Sequence, residues 1–388
     1  MSTEFQEIAH SGGQVTLNFR TEEGRRLVSH GFSHCRPNAW AGVQYYVLKP
    51  GIVVEVAPIY GIGVPTPPPS IPGCFPVMIM SDSQGKFGHN CPACRGYWRS
   101  DATPRICPYC AHEDRSQNFL SDAQRRYVHH YAKLFDEGVH QDGDTEYVID
   151  MDAVAEAAGK EGEKPAFYVS DVSQQHQFTC TACDQFNDVL GHFAFCSSCG
   201  TRNDRDVFEN ETVIGIRERL NKGGDPNTAV KEAVSAFDTV AGQYAKQLLR
   251  LVPLSERRRN VLKTMRFHDF VRVIEVFREW FDIDLADGLK ECEQAFVKLR
   301  FHRRHVYEHN GGEVDQKYLE DSGDTSVVLK QVIRETREDA HSLIGSLVKV
   351  VRNLHKGFHD LLPPAPEPIK YFEERKARME EHRKQQRR

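Results

Sequence analysis

The sequence predicts an α+β multidomain protein: a small β domain and two four-cysteine ribbons, followed by an all-α, up-and-down helical bundle. Three observations predict it. Val-, Ile- and Tyr-rich segments punctuated by Gly and Pro occupy residues 11–64. Eight of the 11 cysteines fall in four C-x-x-C pairs between residues 91 and 199. From Asn227 onward, apolar residues recur at helical spacing. The 388 residues suffice for two or three domains at about 150 residues each, and a 39% hydrophobic content still allows sizeable cores. With 50 Lys and Arg against 55 Asp and Glu, the formal charge is −5. That excludes a globally basic nucleic-acid coat and leaves only a local patch.

Taken in order, segments 14–19, 42–48 and 52–60 read as strands of a β-rich domain over residues 1–76. The stretch 65–73 holds Pro65, Pro67, Pro68, Pro69 and Pro72. It cannot be helix or central strand, because proline lacks the N–H donor. A first ribbon with a short helix is expected over 77–137. Ser121 is the helix N-cap, and Tyr127, Tyr131, Leu134 and Phe135 form its apolar stripe. Residues 138–165 read as a Gly-, Asp- and Glu-rich loop around one small helix near 151–158, and the second ribbon covers 166–205.

The bundle is expected over 206–362. Its four apolar stripes run from Ala229 to Leu248, Phe267 to Phe281, Leu289 to Leu299 and Leu343 to Phe358. Pro363, Pro364, Pro366 and Pro368 stop the last helix. In the tail 363–388, the segment from Lys370 to Arg388 has eight Lys and Arg against four Glu, which reads either as a solvated helical tail or as a local RNA-attracting arm. The N-terminus has no basic region followed by an apolar core, and no apolar run approaches the roughly 18 residues of a membrane span. A soluble, cytoplasmic protein with no membrane partner is the expectation.

The cysteine pairs carry the strongest motif. Cys91/Cys94 and Cys107/Cys110 are separated by residues 95–106, and Cys180/Cys183 and Cys196/Cys199 by residues 184–195, the same gap twice. A two-residue spacer lets one tight turn aim two sulfurs at one ion, and the intervening loop brings a second turn opposite. Two structural Zn2+ sites follow, with iron bound by four thiolates as the chemical competitor. Four cysteines leave no open coordination position, so no catalytic metal is expected. His89, His112, His176 and His192 are surplus to the filled shells. Cys35, Cys74 and Cys292 stand alone, and an odd count without a secretory signal argues against a disulfide framework. Tyr97, Trp98, Arg99, Phe186, Phe193 and Phe195 lie between the pairs and serve either as ribbon mini-cores or as stacking platforms for bases.

The most chemical stretch is 299–312, LRFHRRHVYEHNGG, at the end of the third helix, with Asn310-Gly311-Gly312 as its stop. Cations crowd two turns with little local acid, so an anionic partner is expected. Arg offers a planar fork for phosphate, and His moves protons near neutral pH. That pairing suits metal-free phosphodiester cleavage. His302, His305 and His309 share a helical face and read alternatively as metal ligands. The stretch also reads as a solvated face or a dimer contact.

Arg304-His305-Val306-Tyr307-Glu308-His309, an Arg and a His separated by four residues on a late bundle helix, resembles the HEPN superfamily of ribonucleases. The following Val314-Asp315, Tyr318-Leu319 and Ser322-Gly323-Asp324 resemble HEPN proteins of bacterial defence systems. With two ribbons upstream, the whole resembles the ring-activated zinc-finger RNases of antiphage defence. The resemblance covers roughly residues 228–360. It implies a metal-independent endoribonuclease in which the motif helices of two subunits meet, and the 2′-hydroxyl attacks to leave a cyclic phosphate. By position, Arg304 would bind phosphate, His309 would do acid/base work, and His305 would support them. Arg300 with His305, and Arg303 with His309, are alternative registers. Some HEPN toxins are neutralised by modification of a tyrosine two residues past the motif histidine. Here that residue is Gly311, so control is expected from the N-terminal half sensing a trigger such as a phage protein. The rival expectation is a non-catalytic zinc-ribbon module that binds nucleic acid or protein and uses the bundle to dimerise.

Overall fold

In segment 14–22, Val15, Leu17 and Phe19 alternate with polar neighbours, and the alternation buries one face of a strand. The computed structural model describes residues 13–33, 42–57, 69–81, 85–101, 103–151, 153–154, 157 and 175–386. Two units compose the chain: Met1–Gly200 with Ala365–Arg388, and Thr201–Pro364.

In the first unit, strands β1 (Gln14–Glu22), β2 (Arg25–Ser33) and β8 (Thr145–Asp150) form one antiparallel sheet in the order β2-β1-β8. A second is built from β3 (Gly42–Leu48), β4 (Ile52–Val56) and β5 (Phe75–Met80), in the order β4-β3-β5. Helix α1 (Asp122–Val139) packs its Tyr127, Val128 and Tyr131 into the core shared by both sheets, which also holds Leu17, Tyr45, Val77 and Ile149. Ser121 caps it in a box with Gln124: the Gln124 backbone N–H donates to Ser121 Oγ at 3.1 Å, and the Ser121 N–H donates to Gln124 Oε1 at 2.9 Å.

The third sheet, β6 (Phe87–Asn90), β7 (Tyr97–Ser100), β10 (Phe186–Leu190) and β9 (Gln175–Thr179), carries the cysteine pairs in its turns. The sheet order β6-β7-β10-β9 joins the two ribbons edge to edge through Asn187↔Ser100 and Asp188↔Arg99.

Three strands depart from the sequence reading. β8 lies where a loop was expected over 138–165: Tyr147 and Ile149 point inward from a segment whose Gly- and Asp-rich flanks hide the alternation. β2 and β5 were not expected either; β2 is largely exposed, and Pro76 interrupts the apolar pattern of β5. Of the helix expected near 151–158, residues 151, 153, 154 and 157 are helical and the rest lie outside the described residues, as do Cys35 and Pro65, Pro67 and Pro68.

The second unit is an all-α helical bundle. Its first helix, α2 (Asp204–Val207), runs through a π-helical turn (Phe208–Thr212) into α3 (Val213–Asn221). The four expected helices are α4 (Pro226–Leu251), α6 (Phe270–Phe281), α7 (Glu291–His309) and α9 (Arg337–Leu361). Two short ones, α5 (Glu256–Thr264) and α8 (Gln316–Ser322), were not expected. Asp225, Ser255, Asp269, Asp315 and Thr336 cap their helices through side-chain oxygens, and Pro226 stands at the first turn of α4. α4 packs on α9 and α7 around Phe237, Tyr244, Leu347 and Phe358. A last helix, α10 (Pro366–Gln386), belongs with the first unit. It starts against the second ribbon: the Ala365 N–H donates to the Cys199 carbonyl at 2.8 Å, and Ile369 packs on Cys180, Cys196 and Cys199. The remainder of the helix is mostly exposed and has no buried residue. No helix among the described residues is long and apolar enough to cross a membrane.

His355 sits inside the bundle, hydrogen-bonded to the Tyr244 hydroxyl at 2.7 Å. Burial, then His359, Arg205 and Arg202, push its ring down from 6.5 to about 3. The folded state therefore refuses a proton that the unfolded chain takes up below its own pKa. Stability is complete above about pH 6.5 and is lost as the pH falls toward 3. Lowering the pH from 6.5 to 5 should cost the bundle about 2 kcal/mol through this group. Urea unfolding of His355→Gln, followed against pH, should show that part of the slope removed.

Candidate active site and metal centres

Each cysteine pair forms the same turn. The N–H of the residue after the second cysteine donates to the carbonyl of the first: Arg95 to Cys91 at 2.9 Å, Ala111 to Cys107 at 2.9 Å, Asp184 to Cys180 at 2.8 Å and Gly200 to Cys196 at 2.9 Å. All four of these residues take positive φ, 60°, 50°, 62° and 82° in that order. Only one is glycine, so the repetition of the turn is visible in the structure and not in the residue types.

The sulfurs converge. Cys91 and Cys110 Sγ are 3.4 Å apart, Cys94 and Cys107 3.6 Å, Cys180 and Cys199 3.6 Å, and Cys183 and Cys196 3.5 Å. Within each set all four sulfurs lie within 4.8 Å of one another. A tetrahedron with Zn–S bonds of about 2.3 Å has edges of about 3.8 Å, so both sets fit structural zinc. Burial pushes the Cys107 thiol up, and raises Cys110 to about 11. Four thiolates cannot coexist in such a volume without a compensating dication. The Cys94 N–H points at Cys91 Sγ from 3.4 Å, and Asn187 Nδ2 at Cys196 Sγ from 3.7 Å, which hold the ligand sulfurs in place.

His89, His112, His176 and His192 belong to neither set. His89 is buried with Nε2 2.9 Å from Ser100 Oγ. Tyr97, Trp98, Arg99 and Phe195 are buried, and Trp98 packs edge-on against Phe119; Phe186 and Phe193 are half-buried. Cys74 and Cys292 are free thiols.

Helix α7 carries the Arg/His stretch and ends at Asn310, after which Gly311 and Gly312 take φ of 60° and 91°. The chain then turns back beside the helix, with the Ile333 N–H donating to the Gly312 carbonyl at 2.9 Å. This return brings carboxylates that the local sequence lacks. Glu335 accepts from Arg303 Nη1 at 3.2 Å and from the Tyr307 hydroxyl at 2.9 Å, and lies 3.4 Å from Arg300 Nε. Asp324 accepts from Arg303 Nη2 at 3.0 Å and from the Tyr318 hydroxyl at 2.6 Å. Asp339 accepts from Arg300 Nη2 at 2.7 Å, and the Arg300 guanidinium lies 3.7 Å from the Phe296 ring centroid. Although burial opposes it, hydrogen bonds from Ser326, Tyr318 and Arg303 hold the Asp324 carboxyl well below the usual carboxylate range.

The expectation of an uncompensated cation cluster is therefore corrected. Arg300 and Arg303 are buried and neutralised by residues 21 to 39 positions away in sequence. They are structural, and the registers built on them lose their free cation. Arg304 differs: it is half-buried and has no carboxylate partner among the described residues, while its Nε, like that of Arg300, is enclosed without a hydrogen bond.

His305 and His309 are exposed, one turn apart, with ring centroids 4.6 Å apart. Burial, then His309 and Lys317, push the His305 ring down, which favours its neutral form. His302, also pulled down by burial and then by Lys298, lines with His305 an open cleft of about 730 Å³. Arg266, Arg272, Lys298 and Lys317 add cations to that cleft, and Asp269 and Asp321 subtract from it. The sequence reading missed these four cations, because they come from α7, α8 and the segment from 266 to α6 and share no local motif. The three histidines do not converge as a metal-ligand set among the described residues. Comparison with protein-family models, with curated proteins and with solved structures found no match.

Removing the hub acid should expose its importance. Glu335→Ala leaves two buried guanidinium groups short of a partner and should cost the bundle about 3–5 kcal/mol in urea unfolding. For the ribbons, metal analysis should find two zinc ions per chain. Cys107→Ser or Cys196→Ser should lower the count by one and destabilise the first unit.

Proposed function

We propose that the chain is a metal-independent RNA endonuclease of the HEPN type, acting at the end of α7. The observation that carries this reading is the uneven neutralisation of that helix. Two of its three arginines are tied to buried carboxylates, while Arg304, half-buried, has no carboxylate partner among the described residues and is followed by the exposed His305–His309 pair. A planar guanidinium with unmet donors suits a phosphodiester.

In the proposed reaction His309 exchanges protons with the attacking 2′-hydroxyl or the leaving 5′-oxygen. The P–O5′ bond breaks as the O2′–P bond forms, and a 2′,3′-cyclic phosphate remains. The neutral His305 ring supports this as a hydrogen-bond partner that does not repel a protonated neighbour. The cationic cleft lined by Lys298, His302 and Lys317 would hold the adjoining strand.

His309 lies five positions after Arg304, about 140° around a helix. One helix does not turn both onto one phosphate, so the proposal includes a homodimer or larger homo-oligomer in which two α7 helices meet. A role in bacterial antiphage or toxin defence, with the zinc-ribbon half sensing a phage protein, belongs to the same proposal and rests on resemblance alone.

The zinc-loaded protein, its metal content verified, is incubated with RNA in EDTA with and without candidate triggers. Arg304→Ala and His309→Ala should each lower cleavage by about 10²-fold or more, with unfolding free energy unchanged within about 0.5 kcal/mol. Unchanged cleavage in both variants would end the assignment. Salt-dependent RNA binding without product under every trigger would favour a binding module instead.

A further inference from the structure

Helix α1 of the first unit has two unlike faces. Tyr127, Val128, Tyr131 and Ala132 enter the core, and the opposite side carries Arg125, Arg126, His129, His130 and Lys133. These five, at i, i+1, i+4, i+5 and i+8, line one open cleft of about 770 Å³, closed on its other side by the turn between β3 and β4 with Gly51 and Ile52. Among the described residues that line it there is no carboxylate. Arg125, Arg126 and Lys133 place three cations along this one face, with two imidazoles between them.

The cleft is built. The turn reaches the helix because Gly51 has no side chain: φ is +107°, and a Cβ would stand 2.9 Å from His129 Cα. His129 Nδ1 donates to the Pro50 carbonyl at 2.9 Å, which fixes the ring and turns Nε2 away from that bond. Arg125 is held by the Leu120 and Asn118 carbonyls at 3.2 and 2.7 Å. Gln117 Nε2 donates to the Val54 carbonyl at 2.7 Å, which leaves its Oε1 as an acceptor in the wall.

We infer that this cleft binds a nucleoside polyphosphate. The basic groups extend over eight helical steps, about 12 Å, more than one phosphate spans and suited to a chain of them. Arg and Lys cations and imidazole N–H donors match phosphate oxygens. Ile52, 58% exposed at the cleft edge, supplies an apolar surface for a base, and Gln117 supplies an amide acceptor. The volume lies within the roughly 300–1,000 Å³ of small-molecule sites. The site is independent of the proposed ribonuclease reading, because all of its residues lie in the first unit.

The test is calorimetric titration of the full, zinc-loaded chain with ATP and with inorganic tripolyphosphate at fixed ionic strength, zinc content and melting temperature being checked for every variant. ATP should saturate one site per chain and tripolyphosphate should compete. His130→Ala with Lys133→Ala should weaken both at least tenfold, and Lys317→Ala, in the other unit, should weaken neither. Ile52→Asp should weaken ATP more than tripolyphosphate. The inference is overturned if ATP fails to saturate up to about 1 mM, if the His130/Lys133 variant binds as the parent does, if Ile52→Asp affects both ligands equally, or if only an RNA oligonucleotide binds.

Discussion

A carboxylate taken out of water at Glu335 organises the end of helix α7. Its desolvation is expensive and is offset only by the guanidinium groups of Arg303 and Arg300 and by the Tyr307 hydroxyl. Those partners cannot be met unless the chain after Gly312 folds back along the helix, and the Glu335 N–H is itself tied to Asn227 Oδ1 at 2.8 Å, at the start of α4. One buried group thus links three elements of the bundle. The same pairing sorts the cations of α7 into two kinds: those facing the return segment are consumed by it, and Arg304, His305 and His309 are left. The candidate chemistry is what the structural network does not use.

The first unit solves a different problem. Its third sheet has few apolar residues, with Trp98, Phe119 and Val189 at the centre and cysteines around them. Metal cross-links take the place of the missing core. Pairing β7 with β10 makes one four-stranded sheet of two ribbons, so each zinc site stiffens the edge of the other. The reciprocal bonds of the distal turns, Arg105 and Ile106 N–H to the Ser197 carbonyl at 2.9 and 3.1 Å and Phe195 N–H to the Pro108 carbonyl at 2.9 Å, complete the fusion. With Tyr97 and Trp98 committed to this interior, they are not available as stacking platforms.

A net charge of −5 conceals two concave basic surfaces, one in each unit. Net charge describes solubility and long-range steering, whereas a cleft concentrates potential locally. Both clefts gather residues from separate elements: α7, α8, the start of α6 and the segment before it in one, α1 and a β-turn in the other.

Spacing was enough to determine the eight metal ligands, because zinc coordination depends on a local turn repeated at a fixed interval. Apolar periodicity likewise marked α4, α6, α7 and α9, and the Asn310-Gly311-Gly312 stop marked the end of α7, where both glycines take left-handed φ. β8 escaped, because six residues of alternation inside a Gly- and Asp-rich stretch resemble a loop until β1 supplies the hydrogen bonds. Above all, the sequence displayed Arg300, Arg303 and Arg304 as equals. Only the tertiary structure distinguished them, because a charge is neutralised by what lies within a few ångströms of it, and for Arg300 and Arg303 those acids lie 21 to 39 residues along the chain.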